Sequence, residues 1–270
     1  MKNLLVILLL FFSFGSLAQL KTDWERYNLN GKVRTVKTSS NIDTATIKDS
    51  AFVKYTVDSF NRNGTLAKSV HVLHENIYSF VNCLYNEKKL LIEKDFYEGN
   101  RIDHKYIFTY NNAGRMSESF LVNIEGIKKP LVVCKYKNEK LSEEIEYHPD
   151  AVTLISYQIN RYKTDERCFE RVYYTDSSTI DRIERYTYNR NDQIAECFEI
   201  YADGTIMNTI KIFYDNKNNI TELKLLTPKG KETIEQINKL TYDKYRNWVE
   251  QIQYFEGNYQ ARIVREITYY

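Results

Sequence analysis

Residues 186–204 read YTYNRNDQIAECFEIYADG, and close variants stand at 108–126 (FTYNNAGRMSESFLVNIEG), 212–230 (IFYDNKNNITELKLLTPKG) and 240–257 (LTYDKYRNWVEQIQYFEG). The aromatic before each polar tetrad falls at Phe60, Tyr85, Tyr110, Tyr136, Tyr162, Tyr188, Tyr214 and Tyr242, in steps of 25, 25, 26, 26, 26, 26 and 28 residues. So constant an interval marks a repeat architecture, in which each unit buries its apolar face against its neighbours. In the fifth unit the CFE at Cys168 comes three residues earlier, relative to its aromatic, than the CFE at Cys197. That unit is expected to have lost part of its hairpin loop.

Within a unit, alternation of period two runs up to the aromatic, as in Tyr106, Phe108, Tyr110 and Ile210, Ile212, Tyr214. A polar tetrad follows, and an apolar residue six positions past the aromatic reopens the pattern at Leu66, Leu91, Met116, Ile194, Ile220 and Trp248. Asn, Asp and Gly tolerate left-handed backbone, so each unit reads as strand, tight turn, strand. Gly99, Gly126, Gly204, Gly230 and Gly257 fall where one unit hands over to the next, and Pro130, Pro149 and Pro228 fall in or beside those handovers. Neither residue type is expected to interrupt a strand.

The Y-[ND]-x-x-G core, best preserved as Tyr110-Asn111-Asn112-Ala113-Gly114, resembles the YD repeat of the RHS family, which includes bacterial toxin shells and extracellular teneurins. The resemblance spans residues 51–270 and implies a scaffold rather than an activity. The glycine is replaced in NEKK, NRND, DNKN and DKYR. Eight hairpins of roughly 26 residues predict an all-β fold: an elongated, curled antiparallel sheet or partly closed shell, its tyrosine face on the packed, concave side. Residues 19–50, with Trp24 and GKVRTVK, are expected to cap the first edge with one strand and a short irregular or helical lead.

The first nineteen residues, MKNLLVILLLFFSFGSLAQ, carry Lys2, an apolar run from Leu4 to Phe14 and small residues at Ser16 and Ala18. They read as a signal peptide over 1–18, cleaved near Ala18. Export to the periplasm or exterior follows, and the mature chain lacks an apolar stretch long enough for a spanning helix. Removing Lys2 takes the net charge from +2 to +1, with both signs interspersed, which argues against nucleic acid as a partner.

A carboxylate recurs eight residues past the aromatic, at Glu93, Glu118, Glu196, Glu222 and Glu250, with Glu143 one position earlier in its unit. Alternation places it on the face of the apolar residues around it, either as an acidic groove or as acceptors satisfied by tyrosine hydroxyls and Lys/Arg of adjacent strands. Cys168 and Cys197, and Cys83 and Cys134, read as repeat-equivalent pairs too far apart for disulfides, so four free, buried thiols are expected. His71 and His74 alternate faces on a strand, so no metal site is expected. No nucleophile elbow or phosphate loop is present, and neither catalysis nor a cofactor is expected.

The leading functional reading is a non-catalytic exported scaffold or binding module, holding a glycan or another envelope protein. Its candidate binding residues are Tyr245 and Arg246, at the tip of the DKYRNW loop. The alternatives are an immunity or inhibitor protein for a secreted toxin, implied by the kinship of such repeats with toxin loci, and an outer-membrane β-barrel. Lys and Glu on both faces of most strands weigh against the barrel's apolar lipid-facing band.

Overall fold

The computed structural model describes residues 22–42, 55–73, 76–147, 157–176 and 178–270. The signal-peptide expectation, His74, His148 and Pro149 lie outside these residues. The eight polar turns each join two strands. They connect β2 (Tyr55–Phe60) to β3 (Leu66–Leu73), β4 (Asn76–Tyr85) to β5 (Leu91–Glu98), β6 (Arg101–Tyr110) to β7 (Met116–Asn123), and β8 (Lys128–Lys137) to β9 (Lys140–Tyr147). The next four connect β10 (Tyr157–Tyr162) to β11 (Cys168–Tyr174), β12 (Ile180–Tyr188) to β13 (Ile194–Tyr201), β14 (Ile206–Tyr214) to β15 (Ile220–Leu226), and β16 (Glu232–Tyr242) to β17 (Trp248–Phe255). Helix α1 (Asp23–Arg26) and β1 (Val33–Ile42) precede them, and β18 (Asn258–Tyr269) follows.

Every strand pairs antiparallel with the next, and β1 pairs with both β2 and β18, so the all-β sheet closes into an 18-stranded barrel. The expected open, curled sheet is corrected on this point. β1 does not cap an edge; it is the stave that removes both edges. The cause lies in each hairpin. Tyr110 pairs with Met116 and Thr109 with Glu118, which leaves Ser117 as an extra residue. The same bulge recurs after Phe60, Tyr85, Tyr188, Tyr214 and Tyr242. A bulge bends its strand and increases twist, and repeating it at one level curves the whole sheet in one sense until its ends meet.

The bulge also re-aims side chains. The aromatic faces the lumen, the residue before it faces out, and the glutamate opposite that residue therefore faces out too. This corrects the placement of the glutamates on the apolar face, which assumed unbroken alternation. Their partners are cations on the outer wall. Glu93 binds Lys105 at 2.7 Å, Glu143 binds Lys135 at 2.5 Å, Glu170 binds Arg161 at 2.5 Å and Arg185 at 2.9 Å, and Glu250 binds Arg262 at 2.6 Å. Lys211 pairs with Glu196 in the same way, and Lys224 pairs with Glu222 two residues back on its own strand.

The turns keep the conformation that glycine would favour even where glycine is absent. Asn111 N donates to Arg115 O at 2.8 Å and Gly114 N to Asn111 O at 2.9 Å. The fourth tetrad residue is left-handed in Gly64 and Gly114, and equally in Lys89 (φ 62), Asp192 (φ 59), Asn218 (φ 65) and Arg246 (φ 71). The fifth hairpin is intact, because Tyr162 pairs with Cys168 as Tyr188 does with Ile194. The shortened turn is the fourth, where Tyr136 pairs with Leu141 and both Asn138 and Glu139 are left-handed. Cys168 therefore stands six residues past its aromatic and Cys197 nine, so they are not equivalent. Pro130 is inside β8, at a bulge opposite Phe120, rather than between strands.

On the inner wall the repeat tyrosines lace the hairpins together. Tyr110 donates its hydroxyl to Leu91 O at 2.7 Å, Tyr136 to Met116 O at 2.6 Å, Tyr188 to Cys168 O at 2.5 Å and Tyr214 to Ile194 O at 2.9 Å. Each acceptor is the residue that reopens the pattern in the preceding hairpin. Two apolar clusters line the lumen. One includes Tyr186, Ile194, Ile210, Ile212 and Leu223, and the other Leu29, Val33, Phe60, Leu66 and Cys83. All four cysteines are free thiols. Burial pushes Cys83 up to about 11 and Cys134 and Cys168 up to about 12, out of the reactive thiolate range.

Candidate binding face at the turn end

Residues 22–32 lie across the barrel end that carries the eight polar turns. Thr22 caps α1 by accepting from Glu25 N, and Glu25 accepts from Thr22 N at 2.9 Å, a capping box that fixes the chain's entry. Asp23 Oδ2 accepts from Leu66 N at 2.7 Å and from the Tyr85 hydroxyl at 3.2 Å. Asn28 Nδ2 donates to Asn219 Oδ1 at 2.9 Å and to Lys217 O at 3.1 Å. Asn247 Oδ1 accepts from Asn30 N at 2.6 Å while its Nδ2 donates to Asn30 O and to the Tyr269 hydroxyl. Leu29 and Val33 point into the lumen against Phe60 and Leu66. Trp24 packs on Gly64, where a Cβ would stand 2.7 Å from its ring. The segment is a plug fastened to the turns of four hairpins.

Above this plug stand two exposed aromatics, Tyr245 (40% exposed) and Tyr270 (48%), whereas the Tyr27 side chain faces Asp58, Cys83 and Arg265 of the inner wall. The Tyr245 ring lies 4.2 Å from that of Tyr269, and both border Gly31. Tyr270 N donates to Lys32 O at 2.9 Å, and its hydroxyl donates to Phe60 O. Phe60 meets Tyr27 edge-on at 5.7 Å. Around the rings are the exposed cations Lys32, Arg34, Arg62, Lys244 and Arg246. The Arg62 guanidinium sits 5.5 Å from the Tyr270 ring and Lys244 Nζ 5.1 Å from the Tyr245 ring.

Of the two residues chosen from sequence, both are exposed at the tip of the turn that the plug contacts. Tyr27, Arg62 and Tyr270 were not found that way. Tyr270 meets Lys32, Phe60 and Arg62 only through closure at β1, which no periodic signal announces.

A second polar concentration is buried in the inner wall of β9 to β12. Asn160 Nδ2 donates to Glu144 Oε1 at 3.0 Å and to Glu146 Oε1 at 2.5 Å, and Arg171 Nε donates to Asn160 Oδ1 at 2.6 Å. Tyr162 donates to Glu144, while Tyr173 and Tyr186 donate to Glu184. Burial first, then the neighbouring Glu146, raises the Glu144 carboxyl to about 7. On the opposite wall burial raises Asp58 and lowers Arg265 to about 10, whose guanidinium covers the Trp248 ring at 3.5 Å. Each buried charge faces a counter-charge or a hydrogen-bond donor, as burial requires. Among the described residues no three His, Cys, Asp or Glu side chains are grouped to hold a metal.

No protein-family model matches the chain, and no curated protein matches it. Among solved structures it is similar to a porin-like protein from Bacteroides uniformis, at 8% identity over 88% of this chain and 99% of that one, with TM-score 0.47. It is also similar to a porin-like protein from Bacteroides vulgatus, at 12% identity over 88% and 98%, with TM-score 0.38. TcdB2-TccC3 matches at 14% identity over 79% of this chain and 12% of that one, with TM-score 0.36. At TM-scores below 0.5, none of the three carries an argument about what this chain does.

Proposed function

We propose that this chain is an exported, non-catalytic barrel of the YD-repeat kind, acting as a binding module of the cell envelope through its turn-end face. The observation that carries this reading is the contrast between the two surfaces. Most ladder glutamates of the outer wall are matched with cations, whereas the face around Tyr245 and Arg246 holds an exposed aromatic and a cation on a framework fixed by the plug. Such a rigid display lowers the ordering cost of capturing a ligand. The occupant is a glycan or another envelope protein. The test is a glycan array probed with the mature protein and with Tyr245→Ala. Binding that is lost in the variant, at unchanged melting temperature, supports the reading; binding indifferent to the variant counts against it.

A second reading, an outer-membrane barrel, is favoured by closure of an even number of antiparallel strands without an edge. Against it stand the ion pairs of the outer wall, where a membrane barrel needs an apolar lipid-facing band. Urea extraction of envelopes separates the two: a water-facing barrel is released, and a membrane barrel needs detergent.

A further inference from the structure

We infer that Asn30 is a site of spontaneous covalent modification, its side-chain amide passing through a cyclic imide to aspartate and isoaspartate, and that the isoaspartate form loosens the plug. Water is the only co-reactant. The Gly31 backbone nitrogen attacks Asn30 Cγ and gives up its proton, ammonia leaves, and a succinimide ring joins the two residues. Water then opens the ring. Cleavage of the new bond at Cγ gives aspartate in the original chain, and cleavage at the backbone carbonyl gives isoaspartate, with the chain rerouted through Cβ and Cγ.

The sequence restricts the step to two places. A side chain on the following residue hinders the attacking nitrogen, and glycine, which has no Cβ, leaves it open. Asn precedes Gly only at Asn30-Gly31 and Asn63-Gly64. The first pair closes the plug, and the second is the seat of Trp24.

The structure separates the two. Asn63 Oδ1 accepts from Thr65 N at 3.3 Å and from Thr65 Oγ1 at 2.9 Å, and the Gly64 nitrogen donates to Asn61 O at 2.9 Å. The Trp24 ring covers that glycine, so both the amide and its attacker are held. Asn30 is exposed, and only its backbone is gripped: N donates to Asn247 Oδ1 at 2.6 Å, and O accepts from Asn247 Nδ2 at 2.9 Å. Among the described residues neither the Asn30 amide nor the Gly31 nitrogen makes a hydrogen bond. The amide is free to turn toward the nitrogen that attacks it.

The same clamp makes the product disruptive. Asn247 fixes Asn30, the rings of Tyr245 and Tyr269 border Gly31, and Lys32 O accepts from Tyr270 N at 2.9 Å. Isoaspartate puts an extra carbon into a segment fixed at both ends, and the Asn247 bonds are the ones that yield. Either product also places a carboxylate two residues from the exposed Lys32.

The experiment is incubation of the mature protein in warm, mildly alkaline buffer, folded and in urea, followed by peptide mass mapping that resolves aspartate from isoaspartate. Folded protein should convert Asn30 while Asn63 stays intact, and urea should bring the two to similar rates. Asn30→Gln, whose longer side chain closes a larger ring slowly, should remain unmodified. The isoaspartate fraction should be cut by trypsin after Arg26 about tenfold faster than fresh protein, the factor that one lost hydrogen bond supplies. Asn63 converting as fast as Asn30 in the folded protein overturns the assignment, and so does conversion of neither when both convert in urea. Isoaspartate protein as resistant to trypsin as fresh protein overturns the loosening of the plug.

Discussion

Replacing Glu144 by glutamine should stabilise the barrel at neutral pH and flatten its pH dependence. The carboxyl is 7% exposed, lies beside Glu146, and faces Cys134 and Tyr136 on β8, Asn160 and Tyr162 on β10 and Arg171 on β11. Burial raises it from 4.5 to about 7 in the folded state. An acid whose pKa rises on folding binds its proton more tightly when folded. Its contribution is therefore fully present below 4.5 and is lost as pH rises through 7. A rise from 4.5 to about 7 is worth on the order of 3 kcal/mol. For a chain of this size that corresponds to a melting temperature lower by on the order of 10 °C at pH 8 than near pH 4.5. Glutamine has no charge to desolvate, and its amide oxygen still accepts from Asn160 Nδ2 and the Tyr162 hydroxyl. Circular dichroism melts from pH 4.5 to 8 should show wild type losing stability and Glu144→Gln holding nearly level. Below that window Asp176 and Asp203, held down by hydrogen bonds from Ser178 and Thr205, act in the opposite sense. If the variant kept the wild-type slope across the window, Glu144 would not be the group that titrates.

Lys89→Gly should raise stability by about 1 kcal/mol, because a non-glycine residue at φ 62 carries the left-handed penalty; a chemical melt checks it. Gly64→Ala should do the reverse by more than 2 kcal/mol, roughly the strain of φ +86 plus overpacking against Trp24, with Trp24 fluorescence reporting the displaced plug. Tyr214→Phe should cost about 1 kcal/mol through the lost bond to Ile194 O, and Tyr188→Ala about 3–5 kcal/mol; equal melting temperatures would mean that the tyrosines do not lace the wall. Thiol titration should find four cysteines in unfolded, unreduced protein and almost none accessible when folded.

The turn chemistry and the aromatic interval made the hairpins readable, because both are local: an Asn or Asp, a left-handed fourth residue, and an apolar residue six places on. Closure was not readable. It depends on a single extra residue per hairpin, such as Ser117, whose polar side chain is ordinary on either face. The same residue hid the direction of the glutamates, since one unpaired position reverses every side chain after it. At the turn end Tyr245 and Arg246 stand out in the sequence as a bulky ring and a cation where small residues usually turn. Tyr270 lies outside the period, and only pairing of β1 with β18 brings it against Lys32 and Phe60.

The plug gives the ring a counting rule. In an open array another copy of the unit extends the molecule and leaves existing contacts alone. Here the segment from Asp23 to Asn30 must reach Leu66 on one side and Lys217, Asn219 and Asn247 on the other. A duplicated hairpin would widen the circumference and pull those anchor points apart, and a deleted one would crowd them. Gene-level gain or loss of a unit, the easiest change for a tandem sequence, is thereby the change this molecule tolerates least.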